Sequence, residues 1–384
     1  METKHVFIIG SNGIPANYGG FETFVENLTA HRINQNIKYH VACMGEDNKE
    51  FEYNNARCFN VKVPKLGAAK PEYYDLMSLE RTIKYIKKNK IQNATVYVLG
   101  TGVGLFIWIY KKRLHKLNAK LYVNPDGCEW KREKWNAILK KFFKVCEGKM
   151  AKNADLLVCD SISMEQYIKE EYKKYEPNTT FIAYGSNVQT TENEELSKEL
   201  QEWYKEKKIE AKQYYLIVGR FVPENNYETM IKEFMKSNTQ KDLVIITNVE
   251  ENSFYNKLKQ ETNFESDKRI KFVGTVYNTG LLKEIRKNAY GYFHGHEVGG
   301  TNPSLLEALA TTKLNLLLGV GFNKEVAKEG AFYWNKEEGN LSDLINKTEQ
   351  LTKEEIERYS ELAKDRIQKD YTWEKIVKMY EKIF

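Results

Sequence analysis

"IIGSNGIPANYGGFETFVENL", residues 8–28, places four glycines and a proline between an apolar run and a helix-patterned segment. Residues 6–9 read as a buried strand, and "FETFVENLTAH" after Gly20 reads as an amphipathic helix. A glycine loop between strand and helix brings backbone N–H groups and the positive helix end toward an anion. Gly19 and Gly20 suit that role, because a ligand can touch a backbone that lacks Cβ. Two turns without a ligand are the competing reading. The dinucleotide fingerprint G-x-G-x-x-G, with an acid about 20 residues later, does not fit. Here Gly10 and Gly13 are followed by Pro15, and Glu46 and Asp47 come too late.

Working outward, short apolar strands alternate with helical patterns, the signature of a parallel α/β protein. "HVFIIG", "KYHVACM", "TVYVLG", "KLYVN", "DLLVCD" and "TFIAYG" form a first series. "YYLIVGR", "DLVIITN", "RIKFVG", "AYGYFHG" and "KLNLLLG" form a second. "VFIIGS" and "YLIVGR" echo each other, each leading through a loop into a helix. The pattern predicts two Rossmann-like domains with a cleft between them. The expected boundaries are 1–190, a charged linker and solvent-facing helix at 191–212, a second domain at 213–365, and a C-terminal helix at 366–384 packing back on the first domain.

At 384 residues with 41% hydrophobic content, the chain has the length of two globular domains. The apolar run at the N-terminus is too short for a signal peptide, and residues 97–110 are too short to span a bilayer, so a cytoplasmic protein is expected. Five cysteines without a Cys-x-x-Cys pair read as buried thiols. The net charge of +6 is modest and calls for no nucleic-acid partner. It is unevenly spread: residues 131–152 hold eight Lys/Arg and only Glu133 and Glu147 as acids.

A second glycine loop, "HGHEVGGTNPSLLEALA" at residues 294–310, again follows an apolar strand. Thr301 or Asn302 caps the helix ahead of Pro303, and Glu307 lies one turn inside, placed to accept from a ribose hydroxyl. His294, His296 and Glu297 lack a third nitrogen or sulfur ligand, so a metal site is rejected.

On "GSNGIPANYGGFETFVE", "NPDGCEWKREKW", "VGRFVPENN" and "GHEVGGTNPSLLEA", in that order, the chain resembles the GT-B-fold glycosyltransferases of family 4. More narrowly, it resembles bacterial rhamnosyltransferases of capsule and rhamnose-rich cell-wall polysaccharide assembly, streptococcal in type. The resemblance implies retaining transfer of L-rhamnose from dTDP-β-L-rhamnose to a lipid-diphosphate-linked GlcNAc or Glc, with no metal and no other cofactor. It implies that Arg220 binds the donor diphosphate, with Gly300, Thr301, Asn302 and Ser304 presenting N–H groups and Glu307 taking the ribose. Where a lysine usually follows the arginine, this chain has Asn225 and Asn226. Glu224 and Glu297 are candidates for the sugar hydroxyls.

Asp126 is expected to orient the acceptor or donor or to act as base. A turn residue is the alternative, since Asn-Pro-Asp-Gly is a strong turn sequence. Lys131, Asp160 and Tyr184 are the expected acceptor contacts, with helix capping by Asp160 or Ser161 as the alternative for the aspartate.

The segment from Trp130 to Lys152 is also read as docking on an anionic membrane surface. Ile138, Phe142 and Cys146 are expected inward, and Lys140, Lys141 and Lys144 outward. A sugar-nucleotide epimerase or hydrolase, a transferase using another nucleotide sugar, and a non-catalytic scaffold are the competing classes.

Overall fold

The computed structural model describes residues 3–16, 19–133, 135–187, 195–249 and 251–384. It divides into two compact units, Met1–Gly185 with Trp373–Phe384, and Ser186–Thr372.

The first unit carries strands β1 (Lys4–Ile9), β2 (Ile37–Gly45), β3 (Glu50–Tyr53), β4 (Ala56–Lys62), β5 (Thr95–Leu99), β6 (Lys120–Asn124), β7 (Leu156–Cys159) and β8 (Thr179–Phe181). They run in the order β3-β4-β2-β1-β5-β6-β7-β8, parallel except at the β3/β4 edge. Helices α1 (Gly20–Ala30), α2 (Lys70–Lys88), α3 (Ile107–His115), α4 (Ala137–Asn153) and α5 (Ile162–Glu171) connect them. Val6, Phe7, Ile8 and Ile9 are all fully buried, which is why this part of β1 is an unbroken apolar run instead of alternating. The β3–β4 hairpin escapes the sequence reading because β3 is an exposed edge. Its turn is closed by Asn54 and Asn55, both left-handed with φ of 49° and 55°.

The second unit carries β9 (Tyr214–Val218), β10 (Asp242–Ile246), β11 (Ile270–Gly274), β12 (Gly291–His294), β13 (Leu314–Leu318) and β14 (Phe332–Trp334), an all-parallel sheet ordered β11-β10-β9-β12-β13-β14. Its helices are α6 (Lys198–Lys207), α7 (Tyr227–Lys236), α8 (Ser253–Thr262), α9 (Thr279–Lys287), α10 (Pro303–Thr311), α11 (Gly321–Ala327), α12 (Asn340–Thr348) and α13 (Lys353–Asp370). The last helix, α14 (Trp373–Ile383), belongs to the first unit, where Trp373 and Tyr380 pack on Phe24 and the Glu381 carboxylate accepts the Ile33 and Asn34 amides at 2.8 and 2.9 Å.

Three local expectations need correction. Residues 191–194 of the expected linker lie outside the described residues, but α6 is no solvent-facing linker. Leu200, Trp203 and Tyr204, spaced three and four apart, form a stripe buried in the second core, and the Tyr204 and Tyr214 hydroxyls meet at 3.0 Å. The expected break at 365/366 falls inside α13, which runs unbroken to Asp370. Finally, α4 starts at an Asn136 cap and packs on the core with Phe143, Cys146, Glu147 and Met150 inward. Ile138 is therefore 79% exposed, and Lys144 is drawn down to Glu171 at 2.8 Å and over the rings of Trp130, Tyr167 and Tyr172. All five cysteines are buried free thiols.

Two buried histidines give the fold an acid limb. His40 is pushed down to about 2 by burial and by the Arg57 guanidinium, and His294 to about 3 by burial. Both values lie below the unfolded value of about 6.5, so their contribution is complete above that pH and is lost as pH falls toward the folded values. Urea unfolding midpoints are expected to be flat near neutrality and to fall below about pH 6.5, by up to about 1.4 kcal/mol per pH unit for each histidine. His40→Phe, which keeps the ring stacked on Phe7, should make that fall shallower; an unchanged acid limb would refute the assignment.

Candidate functional site

In a parallel sheet, ligands collect at the carboxyl edge where strand order reverses. In the second unit that point is β9, which pairs with both β10 and β12. Beyond its last residue, Gly219 leads to Arg220, which is exposed and whose guanidinium makes no hydrogen bond or ion pair among the described residues. A one-turn 3-10 helix, Pro223–Asn225, then carries Glu224, which is 5% exposed. Both Glu224 carboxylate oxygens are shut from solvent with no hydrogen-bond donor among the described residues. A buried carboxylate is costly unless donors reach it, so ligand hydroxyls are the natural complement.

The loop after β12 is clamped onto this one. Asn225 Nδ2 donates to the Arg220 carbonyl at 2.8 Å, and Asn225 Oδ1 lies 2.8 Å from His296 Nδ1. Asn226 Nδ2 donates to the Gly295 carbonyl at 2.8 Å and to Glu297 Oε2 at 3.2 Å. Glu297 N donates to the Glu224 carbonyl at 3.1 Å, and Lys336 Nζ holds Glu297 Oε2 at 2.6 Å. The two asparagines that stand where a lysine was expected thus tie the loops together, and Lys336, just past β14, brings an amine to the same edge.

Helix α10 starts here. The Asn302 Oδ1 accepts Ser304 N at 2.9 Å and Leu305 N at 3.3 Å, so Asn302 is the cap, and the Ser304 amide is spent on it. That narrows the expected N–H cradle to Gly300, Thr301 and Asn302. Ser304 Oγ instead meets Tyr292 OH at 3.1 Å, Arg286 at 3.2 Å and the Val218 carbonyl at 3.3 Å. Glu307, its side chain 44% exposed, is held by Arg286 Nη1 at 2.6 Å from a guanidinium only 4% exposed. Arg220, Glu224, Asn225, Glu297, the 300–304 turn and Glu307 therefore share one sheet edge.

In the first unit the corresponding point is β1, between β2 and β5. Gly10 is left-handed (φ 100°), and a Cβ there would stand 2.1 Å from the Leu99 carbonyl oxygen. The loop folds over the helix's own acids: Glu22 Oε1 accepts Asn12 N at 2.6 Å and Glu26 Oε2 accepts Ala16 N at 2.9 Å. The carboxylate beside Gly19 is thus Glu22, while Gly20 faces open space. Asp126 is left-handed (φ 56°), its amide donating to the buried Asn124 Oδ1 at 2.9 Å and its Oδ2 3.6 Å from Arg132.

Asp160 is 4% exposed, and the cap of α5 is Ser161, not Asp160. Tyr184 is buried with its hydroxyl 3.4 Å from Asn124 Nδ2, its phenol held well above the ordinary range by burial and then by the Asp160 and Asp126 charges. Lys131 is exposed, over the rings of Trp130 and Tyr167.

The sequence reading missed Asp75, whose carboxyl burial and neighbouring Glu72 push well up, on a helix whose Tyr74 hydroxyl donates to the Ser11 carbonyl at 2.8 Å. It also missed Arg286 and Lys336. Nothing in local spacing marks them, because each meets its partner across the fold.

The clamp between the loops is testable. A Cβ on Gly295 would stand 2.3 Å from the Asn225 carbonyl oxygen, so Gly295→Ala should cost about 1–3 kcal/mol in urea unfolding. Asn302→Ala should cost about 1 kcal/mol by loss of the cap. A neutral Gly295→Ala would mean the loops are not in contact.

The chain is similar to several known proteins. Residues 3–187 match a domain of unknown function (DUF1972), and residues 199–371 match "Glycosyl transferases group 1". An uncharacterised glycosyltransferase of Methanocaldococcus jannaschii is 24% identical over 390 residues, covering 95% of this chain and 94% of that one. Sucrose-phosphate synthase from Thermosynechococcus elongatus superposes with a TM-score of 0.77 at 15% identity, over 100% of this chain and 98% of that one. Anabaena HepE, solved in complex with UDP, does so at 0.70 and 12%, over 100% and 99%. The second unit is thus similar to the glycosyl transferases group 1 family, and the chain has the GT-B fold of glycosyltransferases.

Proposed function

We propose that the protein moves L-rhamnose from dTDP-β-L-rhamnose to a lipid-diphosphate-linked sugar, GlcNAc or Glc, with retention, at the inner membrane face during surface-polysaccharide synthesis. The observation that carries a nucleotide-sugar donor is the pairing of an unengaged Arg220 with the bare, buried Glu224 carboxylate at one sheet edge. Arg220 offsets the charge of the leaving diphosphate, with the amides of Gly300, Thr301 and Asn302 beside it. Lys336 adds a second cation, so the reading needs no metal. Glu224 and Glu297 take the rhamnose hydroxyls. Glu307, aimed by Arg286, takes the 3′-hydroxyl, since a deoxyribose offers no 2′-hydroxyl.

The acceptor belongs to the acid-lined edge of the first unit, with Asp126 and Asp160 as partners for its hydroxyls and Lys131 for its diphosphate. The C1–O bond to the diphosphate breaks, the acceptor oxygen bonds C1 from the same face, and the acceptor proton passes to the departing phosphate oxygen. The UDP bound by Anabaena HepE favours one second reading, a UDP-sugar donor.

The deciding experiment incubates the purified protein with dTDP-rhamnose or UDP-glucose, with and without lipid-diphosphate-linked GlcNAc or Glc, and reads products by mass spectrometry. Acceptor-dependent release of dTDP supports the proposal. Release without acceptor indicates an epimerase or hydrolase, and release of UDP alone replaces the donor.

In the active pairing, Arg220→Ala should lower kcat/KM by about 100-fold or more with an unchanged Tm. Asp126→Asn should fold normally and lose most transfer; near-wild-type turnover would remove Asp126 from the chemistry.

A further inference from the structure

Six large apolar side chains left in water sit on or beside two neighbouring helices of the first unit. Leu105, Phe106, Trp108 and Ile109 stand at the start of α3, and Ile138 and Val145 on α4; Phe106 is 49%, Trp108 47% and Ile138 79% exposed. The buried face of α3 is Ile107, Tyr110 and Leu114, so its outer side is apolar at the beginning and carries Lys112, His115 and Lys116 at the end. On α4, Ile138, Lys141, Val145 and Lys149 recur at three- and four-residue intervals, which puts them on one stripe.

The two elements lie side by side. A Cβ on Gly104 would stand 2.2 Å from the Cys146 carbonyl oxygen, and Trp108, Lys112 and Lys116 line a depression of about 610 Å³ with Asn153 at the end of α4. Neither the α3 helix nor this stripe contains an acid. Glu147 is buried, and Asp155, next to the depression, is engaged by Lys111 at 3.1 Å and His115 at 2.9 Å. Lys112, Lys116, Lys141 and Lys149 make no ion pair among the described residues.

We infer that this face docks the protein on an anionic bilayer. The indole and aliphatic side chains enter the headgroup and upper acyl zone, while the lysines meet lipid phosphates. No helix among the described residues is long and apolar enough to cross a membrane, so attachment is interfacial. A second copy of the chain fits less well, because it would set lysine against lysine. The surface differs from the Lys140, Lys141 and Lys144 face expected from sequence: α3 supplies its apolar half, and Lys144 is withdrawn into the Glu171 pair.

The loop that leads into it starts beside the strand end that carries one proposed acceptor residue. The loop into α3 leaves β5 where the Gly100 amide donates to the Asn124 carbonyl at 2.9 Å, two residues before Asp126. The inference gives the proposed lipid-linked acceptor its route and rests on that reading for its purpose.

The test needs neither donor nor acceptor. Wild-type protein is sedimented with vesicles of equimolar phosphatidylcholine and phosphatidylglycerol, and with phosphatidylcholine alone. Two triple variants follow: Phe106→Ser/Trp108→Ser/Ile138→Ser and Lys112→Glu/Lys141→Glu/Lys149→Glu. Wild type should bind the anionic vesicles at least about tenfold more strongly than the neutral ones. Each variant should lose at least about tenfold in binding while keeping its Tm. Undiminished binding by the charge-reversal variant overturns the inference whatever becomes of the serine variant. So does a wild-type dimer in solution that the variants convert to monomer, which would assign the face to a second copy. If docking holds while the purified protein transfers no sugar, the surface stands and the acceptor reading falls.

Discussion

The close approach of Gly295 to the Asn225 carbonyl is the constraint on which the second unit's site depends. Without a side chain at 295, the loop after β9 and the loop after β12 come into backbone contact, and Asn226 seals them with bonds to Gly295 and Glu297. The contact leaves Glu224 buried with bare oxygens and Arg220 free at the rim. Charge is thereby sorted, a cation outward and a carboxylate inward, which is the arrangement the proposed donor would need. Arg286 does the same service for Glu307, fixing from beneath a side chain that solvent would otherwise leave mobile.

The first unit uses the same topology with the opposite charge. Its strand-to-helix loop donates its amides to Glu22 and Glu26, so the helix start that would attract an anion already carries carboxylates. Glu72, Asp75, Asp126 and Asp160 extend this acidic edge. Carboxylates make good partners for sugar hydroxyls, so the proposal sets the acceptor's sugar there and leaves its diphosphate to Lys131.

The α3 and α4 face draws on a different physical source. Burial of Ile107, Tyr110 and Leu114 fixes the rotation of α3, and whatever the sequence places on the remaining positions must face water or a partner. Tryptophan, phenylalanine and isoleucine there, bordered by lysines that make no ion pair among the described residues, match a charged interface better than bulk water.

Much of this was written in the chain order. The apolar runs of β1 and β9, the glycines that follow them and the Asn302–Pro303 helix start are local signals, and they located both sheet edges without a structure, while the family resemblance pointed to Arg220. The β3–β4 hairpin was hidden because an exposed edge strand needs no apolar pattern. The α6 helix was misjudged because three buried residues among many charges suffice for an amphipathic stripe.

What only the tertiary structure decided is pairing at a distance: Arg286 with Glu307, Lys336 with Glu297, Glu22 with the loop ahead of it, and the phase of α4 against the core. Local spacing determines which face a residue shares with its neighbours along the chain. Which side chain meets it from another element depends on how the sheets order their strands.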